Sequence, residues 1–192
     1  MKSSSQESDT EGWIILLLII LVIRSWALTL EVFLRRQLGS RHIGLEGPLA
    51  FLVLLFYATE CPGYDLGPLG WFTLAFFGAC VLHRFRPLSY FFTGQIDPIH
   101  TRYSGRPILW KFVPFLSELA VKRYVEPLFL FALAICLLPW NPPLGFYVLV
   151  GSGCLLLTVS MDVGVLQHRV QSMQDMLVEQ QVVADEFRRR SP

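Results

Sequence analysis

Residues 13–23 read Trp-Ile-Ile-Leu-Leu-Leu-Ile-Ile-Leu-Val-Ile, unbroken by any polar side chain. Extended through Leu34, the run exceeds the roughly 20 helical residues that cross a bilayer core. A cleaved secretory signal carries basic residues ahead of its apolar core and a small-residue site after it. Here Lys2 is outweighed by Glu7, Asp9 and Glu11, and Arg24, Ser25 and Trp26 follow the core. The segment is therefore expected to stay as a membrane helix over about 13–34. Arg24 is expected to snorkel to the basic end, or to pair with Glu60 or Glu126 from another helix. Glu31 is matched more simply by Arg35, one turn later.

Composition agrees with a membrane chain. Of 192 residues, 53% are apolar and only 16% are charged, against about 25% charged in soluble domains. This excludes a disordered chain, a nucleic-acid-binding arm and an ordinary small soluble enzyme. The net charge of +1 provides no global field for nucleic acid. The charges fall in blocks. Residues 1–12 are net acidic, 35–46 net basic, and 84–123 hold seven Lys or Arg against Asp97 and Glu118.

Two hairpins are expected beyond the first helix. One has arms at about 47–60 and 67–83 around the Pro62-Gly63 turn signal. The other has arms at about 125–139 and 144–163 around Pro139-Trp140-Asn141-Pro142-Pro143, with Pro127 in its first turn. The first arm is short enough for a re-entrant hairpin, so each hairpin is read as spanning or re-entrant. Gly145, Gly151, Ser152 and Gly153 in the last arm let helices approach closely. Placing basic segments inside sets the N-terminus outside, both hairpin tips outside, and the C-terminus in the cytoplasm. The expected location is the bacterial inner membrane or another cell membrane.

The fold class is thus an all-α integral membrane protein. It comprises a disordered acidic tail (1–12), a membrane domain (13–163) with a basic cytoplasmic segment (84–123), and an amphipathic or coiled-coil helix (164–192). Within 84–123, Leu109, Phe112, Leu116 and Leu119 recur at helical spacing. Glu118 and Lys122 add a favourable pair, and Pro114 marks the start of the regular part. An interfacial helix is expected there, with Lys111, Lys122 and Arg123 at the lipid headgroups beside Trp110. Arg102 and Arg106, near Gly105, are candidates for phosphate or lipid contact, against the plainer reading of two turns at Asp97-Pro98 and Gly105–Pro107.

Past Val163 the apolar positions alternate steps of three and four. Val163, Val170, Leu177 and Ala184 take a positions; Leu166, Met173, Gln180 and Phe187 take d. Leu166, Val170, Met173, Leu177, Gln180, Ala184 and Phe187 are the candidate partner-binding residues. The stripe either packs on the protein's own basic segment or meets another helix. Arg188–Arg190 complement the negative end of the helix dipole.

Chemistry-bearing constellations are sparse. His42, His83, His100 and His168 are scattered, and no His-Glu-x-x-His pair, P-loop or nucleophile elbow occurs. No cofactor, metal or catalytic residue is expected. Cys61, Cys80, Cys136 and Cys154 are read as small buried hydrophobes, with a Cys61–Cys136 bridge as the alternative. The expected function is a non-enzymatic structural or accessory subunit of a membrane assembly, meeting lipids and a second copy or partner subunit. The alternative is a small oligomeric channel or transporter using Glu60 or Glu126. A third reading is an interfacial lipid-modifying enzyme using His100, Arg102 and Arg106.

Overall fold

The apolar run forms the middle of a long helix, α1, Ser3–Leu34. The computed structural model describes the backbone of residues 3–36, 44, 46–61, 67–92 and 105–190. It describes the side chains of residues 12–36, 44, 46–61, 67–85, 105–184 and 186–188. α1 begins at Ser3 rather than near Trp13, so the stretch expected as a disordered tail has helical backbone. Nucleation is the costly step of helix formation. Once the apolar run is helical, Gln6, Glu7 and Glu11 extend it at little cost.

The described chain is mostly helical. β1, Arg35–Arg36, follows α1 directly. Then come α2, Glu46–Thr59, and α3, Gly67–Phe92. α3 passes its expected end near His83 and runs on through Pro87 to Phe92. β2, Arg106–Pro107, pairs antiparallel with β1. Gly105 precedes it at φ 80, a left-handed backbone that glycine adopts without a Cβ penalty. The tip at 62–66 and the polar cluster at 94–104 lie outside the described residues.

The amphipathic helix expected from Leu109 is replaced by something shorter. Leu109–Lys111 make one 3₁₀ turn, and further turns run to Leu116. Pro114 has no N–H and disfavours helical backbone at Val113, which stops propagation. The regular part starts three residues later, at Ser117, whose Oγ accepts from the Ala120 N–H at 3.2 Å. From there α4, Glu118–Ala120, a π-turn, Val121–Val125, and α5, Glu126–Leu137, follow without a break. Pro127 therefore lies inside a helical run rather than opening it. It has no N–H to give the preceding turn, and the wider turn accommodates its ring.

Asn141 closes the second hairpin. Its Oδ1 accepts from the Leu144 N–H at 3.0 Å, capping α6, Pro142–Arg190. Pro142 and Pro143 then occupy the first turn, where a missing N–H is harmless.

The chain divides into two compact units, Met1–Thr158 and Val159–Pro192. The core of the first gathers Leu28, Val32, Ala50, Leu54, Leu69, Phe76 and Tyr147 from α1, α2, α3 and α6. Trp26 stacks on Tyr147 with ring centroids 4.9 Å apart, and Tyr57 and Phe72 meet Tyr147 edge-on. Polar tips inside this cluster are satisfied. Trp26 Nε1 donates to the Tyr147 carbonyl at 3.2 Å, Tyr57 donates to the Pro143 carbonyl at 2.8 Å, and Tyr147 shares a 3.0 Å bond with Thr29. Gly151 fits the small-residue reading. A Cβ there would run into Leu30 Cδ1 and press on Trp26, so α6 approaches α1 where the side chain is absent.

Two helices are long and apolar enough to cross a membrane, Gly12–Leu34 and Pro142–Arg188, by length and composition. Trp13 through Ile19 are all at least 46% exposed. A bare apolar surface of this kind marks a lipid or protein contact, and the two helices point to membrane association. α2, with 14 residues, reaches about 21 Å at the helical rise. That is short of the roughly 30 Å hydrocarbon core.

All four cysteines are free thiols, including Cys61 and Cys136. Cys61, Cys80 and Cys154 are half-buried and Cys136 is exposed, so none is fully buried as expected, and no bridge joins Cys61 to Cys136.

Candidate functional site

Consecutive residues of a strand point to opposite faces, and β1 consists of two arginines. Arg35 turns inward and is 3% exposed. Its Nη1 lies 3.1 Å from Glu31 Oε1, one helical turn back on α1. Its Nε and Nη2 donate to Glu126 Oε2 at 3.0 and 2.8 Å. Glu126 is fully buried. Its other oxygen, Oε1, has no hydrogen-bond partner among the described residues. Lys122, also buried, binds Glu118 Oε1 at 2.7 Å. Arg35, directly after the last residue of α1, also complements that helix's dipole.

The ion triad thus joins segments 91 residues apart. The Glu31–Arg35 and Glu118–Lys122 pairs stand where helical spacing puts them. Glu126 meets Arg35 rather than Arg24. Arg24 lies 4.0 Å from Glu46 at the start of α2, not against Glu60 or Glu126. Removal of one member of a buried ion pair leaves an uncompensated charge, which is the expensive case.

Arg36 turns outward, and Arg106 is its direct cross-strand partner. A pocket of ≈ 580 Å³ opens beside them, bordered by Arg36, Arg106, Lys111, His83 and the apolar surfaces of Ile108 and Trp110. Arg106 lies over the Trp110 ring, 4.2 Å from its centroid, and Trp110 Nε1 donates to the Leu116 carbonyl at 3.0 Å. The ring is thereby fixed beneath the guanidinium. No carboxylate pairs with Arg36, Arg106 or Lys111 among the described residues. A second hollow, between α1 and α2, is apolar apart from the Tyr57 hydroxyl and Glu60. It holds no cation.

The predicted contact residues are divided by this geometry. Arg106, Trp110 and Lys111 meet at the pocket. Lys122, expected at the headgroups, is buried instead, its ammonium held by the half-exposed carboxylate of Glu118 one turn back. Arg123 stands over Tyr124 at 5.4 Å. Arg102 and His100 lie outside the described residues. Arg36 joins the pocket without having been singled out, because a two-residue strand leaves no alternation to read.

In the second unit, Leu166, Val170, Met173, Leu177 and Phe187 are between 47% and 71% exposed. Gln180 and Ala184 are exposed with them. So are Val165, Val178 and Val182 on other sides of the helix. No protein family matches the chain, and no curated protein or solved structure is significantly similar to it.

Proposed function

We propose that this chain is a non-enzymatic integral membrane protein, a structural or accessory subunit that pairs with a second copy through its C-terminal helix. The observation that carries the reading is the exposed stripe from Leu166 to Phe187 on a continuous helix. Val163 and Val170 at a with Leu166 and Met173 at d favour two strands. The e positions of the first three heptads are Gln167, Gln174 and Gln181, which impose no like-charge repulsion between identical chains. Copies inserted in one bilayer share an orientation, so their helices meet parallel and in register. Gln180 then faces its own counterpart and penalises a slipped register.

In this reading the N-terminal apolar helix and the hairpins hold the protein in the bilayer. The basic segments lie on the cytoplasmic side and the acidic N-terminus lies outside. Native mass spectrometry of the full chain and of a chain ending at Gly164, both in mild detergent, tests it. The full chain is expected at twice the monomer mass and the shortened chain at the monomer mass. The same number of copies in both particles would overturn the proposal.

A further inference from the structure

We propose that Arg36, Arg106 and Lys111 form a binding site for a phosphate monoester, presented by the headgroup of an anionic lipid. Directly opposed like charges on an antiparallel pair repel. The Arg36–Arg106 pairing is therefore a contact that costs stability until an anion comes between the two guanidinium groups. Each guanidinium offers a planar fork of donors suited to phosphate oxygens, and Lys111 adds a third cation. Trp110 holds Arg106 in place beforehand, which lowers the entropy lost on binding. A phosphomonoester carries about −1.5 to −2 charge at neutral pH. It therefore balances three cations better than the single charge of a phosphodiester.

Two neighbours of Lys111 favour a lipid as the source. Phe112 and Phe115, in the turns after Lys111, are 77% and 83% exposed. Large aromatics bare to the surroundings beside a basic cluster fit the boundary between headgroups and acyl chains. Ile108 and Trp110 add apolar wall to the pocket itself.

The test uses the full chain in phosphatidylcholine nanodiscs, alone and with added phosphatidic acid or phosphatidylglycerol. Retained lipid is read by native mass spectrometry. A second arm titrates inorganic phosphate into the detergent-solubilised protein by calorimetry. Phosphatidic acid is expected to be retained over phosphatidylglycerol, and Arg36→Gln/Arg106→Gln is expected to weaken that retention roughly tenfold or more. Arg36→Lys/Arg106→Lys should retain part of it. Arg123→Gln, which removes a cation outside the pocket, should leave it unchanged. Phosphatidic acid retention without a phosphate response supports a lipid site; a phosphate response of equal strength assigns the same cations to a soluble phosphate. The opposed charges supply a further readout. Without ligand, Arg36→Gln should unfold at or above the wild-type temperature, whereas a merely structural arginine would lower it. Equal retention of both anionic lipids, or equal loss with Arg123→Gln, would overturn the proposal.

Discussion

Replacing Arg35 by methionine is expected to destabilise the folded chain by about 3–5 kcal/mol. Thermal unfolding in mild detergent, followed by circular dichroism, should show it as a large drop in midpoint. The substitution leaves Glu31 and Glu126 buried, at 2% and 0% exposure, with no guanidinium between them. Folded domains have only about 5–15 kcal/mol in total, so the loss takes a large share. The companion variant Glu31→Leu/Arg35→Met/Glu126→Leu removes every charge of the triad together. Buried ion triads exchanged for apolar residues of similar volume are often neutral or stabilising, so the triple variant should unfold well above the single one. Wild-type behaviour of Arg35→Met would mean that the triad is not buried in the working protein.

The second large effect falls on the C-terminal helix. Changing Leu166, Val170, Met173 and Leu177 together to serine is expected to convert the dimer to monomer while the chain still inserts into membranes. Burying each such side chain is worth about 1.5–3 kcal/mol, and a dimer holds two copies of all four. A micromolar complex is held by only about 8 kcal/mol. Sedimentation in detergent reads the outcome. The control changes Val165, Val178 and Val182 to serine. These residues are as exposed as the seam residues but stand outside the a and d positions, so the dimer should survive. Dissociation in both variants would mean that general stickiness, and not a seam, holds the copies together.

The parts of the structure readable from sequence rest on local rules. The proline-rich run Pro139–Pro143 signals a turn between two arms, and the turn forms, with Asn141 capping the helix that follows. Glu31 with Arg35, and Glu118 with Lys122, are one helical turn apart and pair accordingly. Gly151 signals close approach, and Leu30 and Trp26 fill the space. What stayed hidden depends on distant partners or on very short elements. Nothing local to Glu126 says that its partner is Arg35, because the two meet only after β1 has turned Arg35 inward. The helical spacing of Leu109, Phe112 and Leu116 is real, but Pro114 interrupts the backbone that would use it. The π-turn ahead of Pro127 has no periodic signature at all. The anion pocket was half legible: Arg106, Trp110 and Lys111 cluster in sequence, whereas Arg36 arrives by strand pairing.

The arginine doublet of β1 has an unusual property under deletion. Loss of either residue yields the same chain, in which a single arginine follows Leu34. Leu34 is itself buried, and its carbonyl accepts from the Ile108 N–H at 2.9 Å, so the chain stays anchored on the helix side. The surviving arginine, directly after Leu34, is expected to take the inward place, leaving no arginine for the outward one. A single lost codon thus spares the internal anchor and erases one wall of the anion pocket. Inheritance of the two roles is separable at one point in the chain, although the residues that perform them are identical.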